Sequence, residues 1–99
     1  MRYELRWSPD ALDHFGWLAR HEVVRVLDET PQQLSHQPNV PHRNRKLLRE
    51  NPVAEWELRL GDLLVYYNVQ PDEPVVDIIA VGVKRQNQVF VGGEEWKLS

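Results

Sequence analysis

The chain has 99 residues, is 41% hydrophobic, carries a formal charge of -3 and contains no cysteine. That length holds one core rather than two, and the missing cysteines exclude a disulfide framework, a zinc ribbon and a thiol nucleophile. The negative balance argues against nucleic-acid binding by the whole surface, and no apolar run approaches the roughly 18 residues that cross a bilayer.

Arg2 to Trp7 alternate in the strand period, with Tyr3, Leu5 and Trp7 on one side. The start has no long apolar stretch of the kind a secretory signal needs, so the expected address is the cytoplasm, with no membrane partner. Ser8-Pro9 reads as an N-cap followed by proline at the first helical position. The helix that follows places Leu12, Phe15 and Ala19 on one stripe, flanked by Ala11 and Leu18. A break near Arg20-His21 leads to a second helix with Val23, Leu27, Thr30 and Leu34 on its face. Pro31 either kinks that helix or starts a separate last turn.

Ser35 to Val53 has little periodicity and reads as a long surface connection, with a short extended piece at Arg45-Lys46-Leu47. Beyond it every signal is strand. Trp56, Leu58 and Leu60 alternate with Glu57 and Arg59, Gly61-Asp62 supplies a tight turn, and Leu63 to Val69 is the partner. Pro71 to Pro74 is the next turn, and Val75 to Val83 is a nearly continuous apolar run that suits a central strand. Gln88 to Val91 adds an edge strand before Gly92-Gly93 and a Glu94-Glu95-Trp96 tail. The expected fold is one α+β domain over residues 1–99, ordered β-α-α-β-β-β. Two N-terminal helices cover one face of a mainly antiparallel sheet of four to five strands. Alternation puts Glu55, Glu57 and Arg59 together on the opposite, open face.

The charge is uneven. Between His36 and Arg49 lie Arg43, Arg45, Lys46 and Arg49 with no Asp or Glu. Exposed charges reach only about 8 Å in physiological salt, so a phosphate beside this loop feels the cluster more than the distant acids. Lys84-Arg85 leave the end of the last long strand and could converge with that cluster beside Arg59. Arg59 itself is either salt-bridged to Glu55, Glu57 or Asp62, or held on its strand to grip a phosphate with its planar fork. Of Tyr66 and Tyr67, alternation sends one into the core and one outward. His14, His21, His36 and His42 show no metal-ligand spacing, so neither a metal nor a cofactor is expected.

Taken in order, Arg45-Lys46-Leu47-Leu48, Trp56-Glu57-Leu58-Arg59-Leu60-Gly61-Asp62, Val65-Tyr66-Tyr67 and Ala80-Val81-Gly82-Val83-Lys84 resemble a known pattern. It is that of the RelE/ParE superfamily of type II toxin–antitoxin toxins, and the resemblance covers nearly the whole chain. It implies a toxin held inactive by a cognate antitoxin. In RelE-like members the toxin cleaves messenger RNA on the ribosome. In ParE-like members the same fold inhibits DNA gyrase without nuclease chemistry, and a third expectation is a weakened toxin that acts mainly by binding its antitoxin.

For the RelE-like activity, the resemblance implies a metal-independent endoribonuclease in which the RNA 2′-OH attacks its own 3′ phosphate. That reaction needs a base, cations for the charge growing on phosphorus and a proton for the departing 5′ oxygen. By position, Lys46, Arg59 and Lys84 match the catalytic residues. Lys46 acts as the base because neighbouring cations disfavour its protonated form, and Arg43, Arg45, Arg49 and Arg85 hold the RNA backbone. The scheme requires these side chains to meet in one anion-sized hollow. Two positions depart from the pattern: Leu64 stands where many members have arginine, and Phe90 near where nuclease members have tyrosine.

Overall fold

The computed structural model describes residues 1–97 and shows an α+β fold. In chain order the elements are β1 (Glu4–Trp7), α1 (Pro9–His14), a 3-10 turn (Phe15–Trp17), α2 (Arg20–Leu34), β2 (Arg45–Leu47), β3 (Trp56–Leu60), β4 (Leu63–Val69), β5 (Val75–Arg85), β6 (Gln88–Val91) and β7 (Glu94–Trp96). The strands form one sheet in the order β2-β3-β4-β5-β6-β7, antiparallel throughout, while β1 pairs in parallel with the first half of β5. The sheet therefore has seven strands rather than four or five. The extended piece at Arg45–Leu47 is a true edge strand, and the tail at Glu94–Trp96 folds back on β6.

Strands β1 and β6 occupy the same edge of β5 at opposite ends. Between them two side chains close the ladder. Ser8 takes its backbone N–H to Ile78 O (3.0 Å) and its hydroxyl to Ile79 O (3.0 Å), while its Oγ accepts from Ala11 N–H to cap α1. His14 Nδ1 then accepts the Val81 N–H at 3.2 Å. Burial holds the His14 imidazole below its ordinary value, with Asp10 and Asp13 pulling the other way. The neutral ring is the one that can accept this bond.

The helices bury part of the predicted stripes: Phe15 and Leu18 pack against the core and Thr30 and Leu34 are buried, whereas Leu12, Ala19 and Leu27 are exposed. Leu12 is 51% exposed and the small Ala11 is buried instead, because α1 ends at His14 and its short body lies close on β5. On α2 the buried face is Glu22, Val26, Thr30 and Leu34, while Leu27 is 46% exposed. The helix starts after Ala19 and runs through Pro31 without a separate last turn. Its phase follows Glu22, whose carboxylate accepts the Ala19 N–H at 2.9 Å and pairs with Arg85.

Both faces of the sheet are covered. On the helix face Leu58, Leu60, Leu63, Val65, Tyr67, Val76, Ile78, Val81 and Val83 join α1 and α2 in the main core. On the far face Leu64, Tyr66, Ala80 and Val91 form a second, smaller core under Ala54, Val53 and Trp96. A register shift at Tyr66/Tyr67 makes Ile79 the extra residue of a bulge, which returns Val81 and Val83 to the helix face after Ile78. Neither tyrosine faces out. Tyr67 stacks on Trp56 and donates to Pro38 O at 2.7 Å, and Tyr66 lies under Trp96 with ring centroids 5.5 Å apart. A side chain at Gly82 would meet Val91 and the Phe90 carbonyl at under 3 Å, so glycine is what lets β6 approach β5 there.

Candidate functional site

Register decides which cations share a surface. Lys46 pairs with Glu57, which pairs with Tyr66, which pairs with Ala80, a row crossing four strands. The next row on the same face runs Arg59, Leu64, Gly82 and Val91. Lys84 lies two residues beyond Gly82, also on this face. Lys46, Arg59 and Lys84 therefore all belong to the face away from the helices.

They are not clustered round one point. With strands about 4.8 Å apart and a rise of about 3.4 Å per residue, Lys46 and Arg59 backbones are roughly 8 Å apart, and Arg59 and Lys84 roughly 12 Å. The first step is one strand across and two residues along; the second is two across and two further along in the same direction. The three cations lie on a diagonal track rather than round a single hollow. The middle and one end of that track are tied down by backbone: Arg59 N–H donates to Asn44 O at 2.8 Å and Lys84 N–H to Asp62 O at 2.7 Å. Gly61, at φ +63°, makes the turn between β3 and β4, and the Arg25 guanidinium of α2 lies against it where a side chain would stand.

The charged partners differ along the track. Lys46 Nζ is 3.6 Å from Glu57 Oε2, so its nearest charged neighbour is a carboxylate and not another cation of the loop. Arg59 is exposed, and neither it nor Lys84 forms an ion pair among the described residues. Arg59 thus makes none of the salt bridges to Glu55, Glu57 or Asp62 that its neighbours in sequence suggest. Glu57 is only 8% exposed, which alternation alone does not reveal: Tyr66 and the far-face core close over it. Burial pushes the Tyr66 phenol up, the Glu57 charge and a hydrogen bond to it add to that, and Arg59 opposes.

The remaining basic residues separate. Arg45 alternates to the helix face, where its guanidinium donates to Gln33 O at 2.7 Å and to Val40 O at 3.3 Å. Arg85 also points to the helix face and pairs with Glu22 at 3.1 Å. Burial alone would raise the Glu22 carboxyl, but the Ala19 N–H and the Arg85 guanidinium outweigh it and hold it below its ordinary value. Both arginines are thus engaged in holding α2 and its following loop to the sheet. Arg43 is exposed in the connection before β2. Arg49 lies beyond β2 in a loop ordered by Asn51, whose side chain bonds Arg49 O, Ala54 O, Val53 N–H and Ala54 N–H.

Two contributors were not legible as site residues. Trp96 belongs to the far face because Gly92-Gly93 turns the chain into a β6–β7 hairpin; a Gly-Gly pair between two short runs is the signal that would have found it. The burial of Glu57 depends on Trp96 and Tyr66 together, which no local pattern carries. No group of three or more His, Asp or Glu side chains among the described residues is placed to hold a metal ion. No helix among them is long and apolar enough to cross a membrane.

With the strand order and the cation-bearing face established, the chain can be set beside known proteins. A family model described as the ParE toxin of type II toxin-antitoxin systems, parDE, matches residues 5–88. The chain belongs to this family, and with it to the RelE/ParE superfamily. Among solved structures, the RelBE2 toxin–antitoxin complex from Mycobacterium tuberculosis is similar at a TM-score of 0.73 and 21% identity. The match covers 85% of this chain and 100% of that one, a likeness of fold. No protein with a curated description matches. In this ParE-family toxin Arg45 and Arg85 on the helix face serve the fold, while Arg59 and Lys84 on the far face have no ion-pair partner among the described residues.

Proposed function

We propose that this toxin acts on the ribosome as a metal-independent messenger RNA endoribonuclease in the cytoplasm, and that a cognate antitoxin holds it inactive. The observation that carries the reading is the far-face track itself: Arg59 exposed at its centre, with Lys46 and Lys84 on either side. In this reaction the 2′ oxygen bonds to the adjacent phosphorus and the bond from phosphorus to the 5′ oxygen breaks. The 2′-OH proton passes to water and a proton from water reaches the 5′ oxygen, while Lys46, 3.6 Å from Glu57, stands on the same face as part of the track that meets the RNA. Arg59 offers a planar, always-charged fork to the phosphoryl oxygens, and Lys84, roughly 12 Å further along the track, offers a positive charge to a neighbouring phosphate of the strand. Arg43 and Arg49, both exposed, extend the basic surface for the RNA backbone. The same chemistry needs no bound cofactor.

The test is induced expression in a bacterial host, with and without the antitoxin, followed by transcript-end mapping. Growth arrest with cuts inside translated codons supports the reading. It is abolished by Arg59→Ala, and co-expressed antitoxin restores growth. Arrest without new transcript ends overturns it. The second reading, gyrase inhibition without cleavage, is favoured by the description of the matched family. It predicts loss of supercoiling by purified gyrase and arrest that survives Arg59→Ala.

A further inference from the structure

The far-face track carries a carboxylate among its cations, and the reaction described above gives it no part. Glu57 on β3 pairs with Lys46 on β2 and with Tyr66 on β4, so the three residues form one row across adjacent strands. An acid beside a phosphate-binding surface weakens binding by repulsion, and its presence there needs a reason. We propose that Glu57 is a positioning residue: acting through Lys46, it fixes that ammonium group relative to Arg59, so that the two meet neighbouring phosphates of one RNA strand. The inference rests on the reading of the track as an RNA surface, and names the residue that sets its geometry.

The two members of the pair differ in freedom. The Glu57 side chain is 10% exposed and that of Lys46 63%. Glu57 stands mid-strand, and the Tyr66 hydroxyl donates to its carboxylate from a buried ring beneath Trp96. That carboxylate is held in place. Lys46 instead carries a compact charge on a flexible four-carbon stem, whose rotamer freedom is worth about 2 kcal/mol. Its Nζ lies 3.6 Å from Glu57 Oε2. Lys97 lines the cleft beside Glu57, but among the described residues Lys46 is the cation that pairs with it. A buried carboxylate left without its cation is costly, so the mobile head is drawn to the fixed one.

The backbone beneath Lys46 is fixed as well. Arg59 N–H donates to Asn44 O and Leu48 N–H to Glu55 O, both at 2.8 Å, and these bonds lock β2 to β3 on either side of Lys46. The freedom left to Lys46 is that of its side chain, which Glu57 restrains. Residue type separates this role from a purely structural one. Glutamine would accept the Tyr66 hydroxyl as well as glutamate does, without repelling phosphate. Only an ionised carboxylate also attracts an ammonium group.

The test is a double-mutant cycle of Glu57→Gln and Lys46→Met in the full chain. It is read as kcat and KM for cleavage of a ribosome-bound transcript, and as affinity for an uncleavable 2′-O-methyl RNA strand. Glu57→Gln should lower kcat about tenfold through misplacement of Lys46, although the loss of a negative charge leaves RNA affinity equal or tighter. In the Lys46→Met background it should lower kcat no further, because the two residues act as one unit. An equal loss of kcat in both backgrounds, or no loss in the parent, overturns the proposal. Nitrogen relaxation of the ammonium groups of Lys46, Lys84 and Lys97 needs no variant and so stands if either substitution folds poorly. Lys46 should be the most ordered of the three, and a Lys46 as mobile as Lys97 also overturns the proposal. A chain that cuts messenger RNA while Lys46 moves freely would sink the positioning role and leave the nuclease. An ordered Lys46 that Glu57→Gln sets free, in a chain that binds RNA and cuts nothing, would do the reverse.

Discussion

The two faces of the sheet use the same residue types for opposite purposes. On the helix face Arg45 and Arg85 spend their guanidinium donors on Gln33 O, Val40 O and Glu22, fastening α2 and its following loop to β2 and β5. On the far face Arg59 and Lys84 have no such partner among the described residues, and Lys46 has one only at 3.6 Å. A buried carboxylate on each face marks the difference. Glu22 serves a helix start and a salt bridge, whereas Glu57 lies at the floor of a cleft. Charge in the sequence is therefore a poor guide to function until the face is known. An arginine next in sequence to a candidate site residue points the other way, because successive strand residues alternate.

Core substitutions offer the largest contrast between the faces. Leu58→Ala on the helix face and Leu64→Ala on the far face remove side chains that are both fully buried. Leu58 is packed under the helices and its loss should cost about 3–4 kcal/mol, toward the upper part of the range for such changes. Leu64 lies under a thinner cover of loop and hairpin that can settle into the space, so about 2 kcal/mol is expected. Chemical denaturation of both variants measures this, and equal losses would show the two cores to be equally rigid.

The arginines come next. Arg85→Ala strands the buried Glu22 and should cost about 1–2 kcal/mol, the pair being half exposed on the arginine side. Arg59→Ala should change stability by no more than about 0.5 kcal/mol while removing growth arrest. If Arg85→Ala, still folded at the growth temperature, also abolishes arrest, the separation of fold and function by face fails.

His14 gives a smaller effect with a defined sign. Its imidazole is held below the ordinary value of 6.5 by burial, so the folded chain favours the neutral ring more than the unfolded chain does. The stabilisation is complete above about pH 6.5 and is lost as pH falls through the lower folded value. His14→Ala leaves the Val81 N–H without its acceptor, should cost about 1 kcal/mol at neutral pH, and should flatten the decline in melting temperature just below neutrality. Glu22 acts in a separate, more acidic window. Its carboxyl is depressed, so its contribution is present above the ordinary carboxylate value of 4.5 and disappears as pH falls through the folded one. Melting curves of Glu22→Gln against the parent chain across that range isolate it.

Much of the fold was legible in the residues themselves. Ser8-Pro9 announced α1, Gly61-Asp62 the β3–β4 hairpin, and the apolar run from Val75 a strand buried on both sides. These are local effects: capping, turn geometry and alternation act within a few residues of one another. Lys46, Arg59 and Lys84 could be named as candidates, and alternation put Glu57 and Arg59 on one face. What no local rule supplied was the set of distances between them. The diagonal of the cation track, the departure of Arg45 and Arg85, the phase of α2 and the closure of Tyr66 and Trp96 over Glu57 all follow from strand register and packing. Those couple residues up to seventy positions apart, and they are fixed only when competing apolar and polar groups find their lowest common free energy in the assembled sheet.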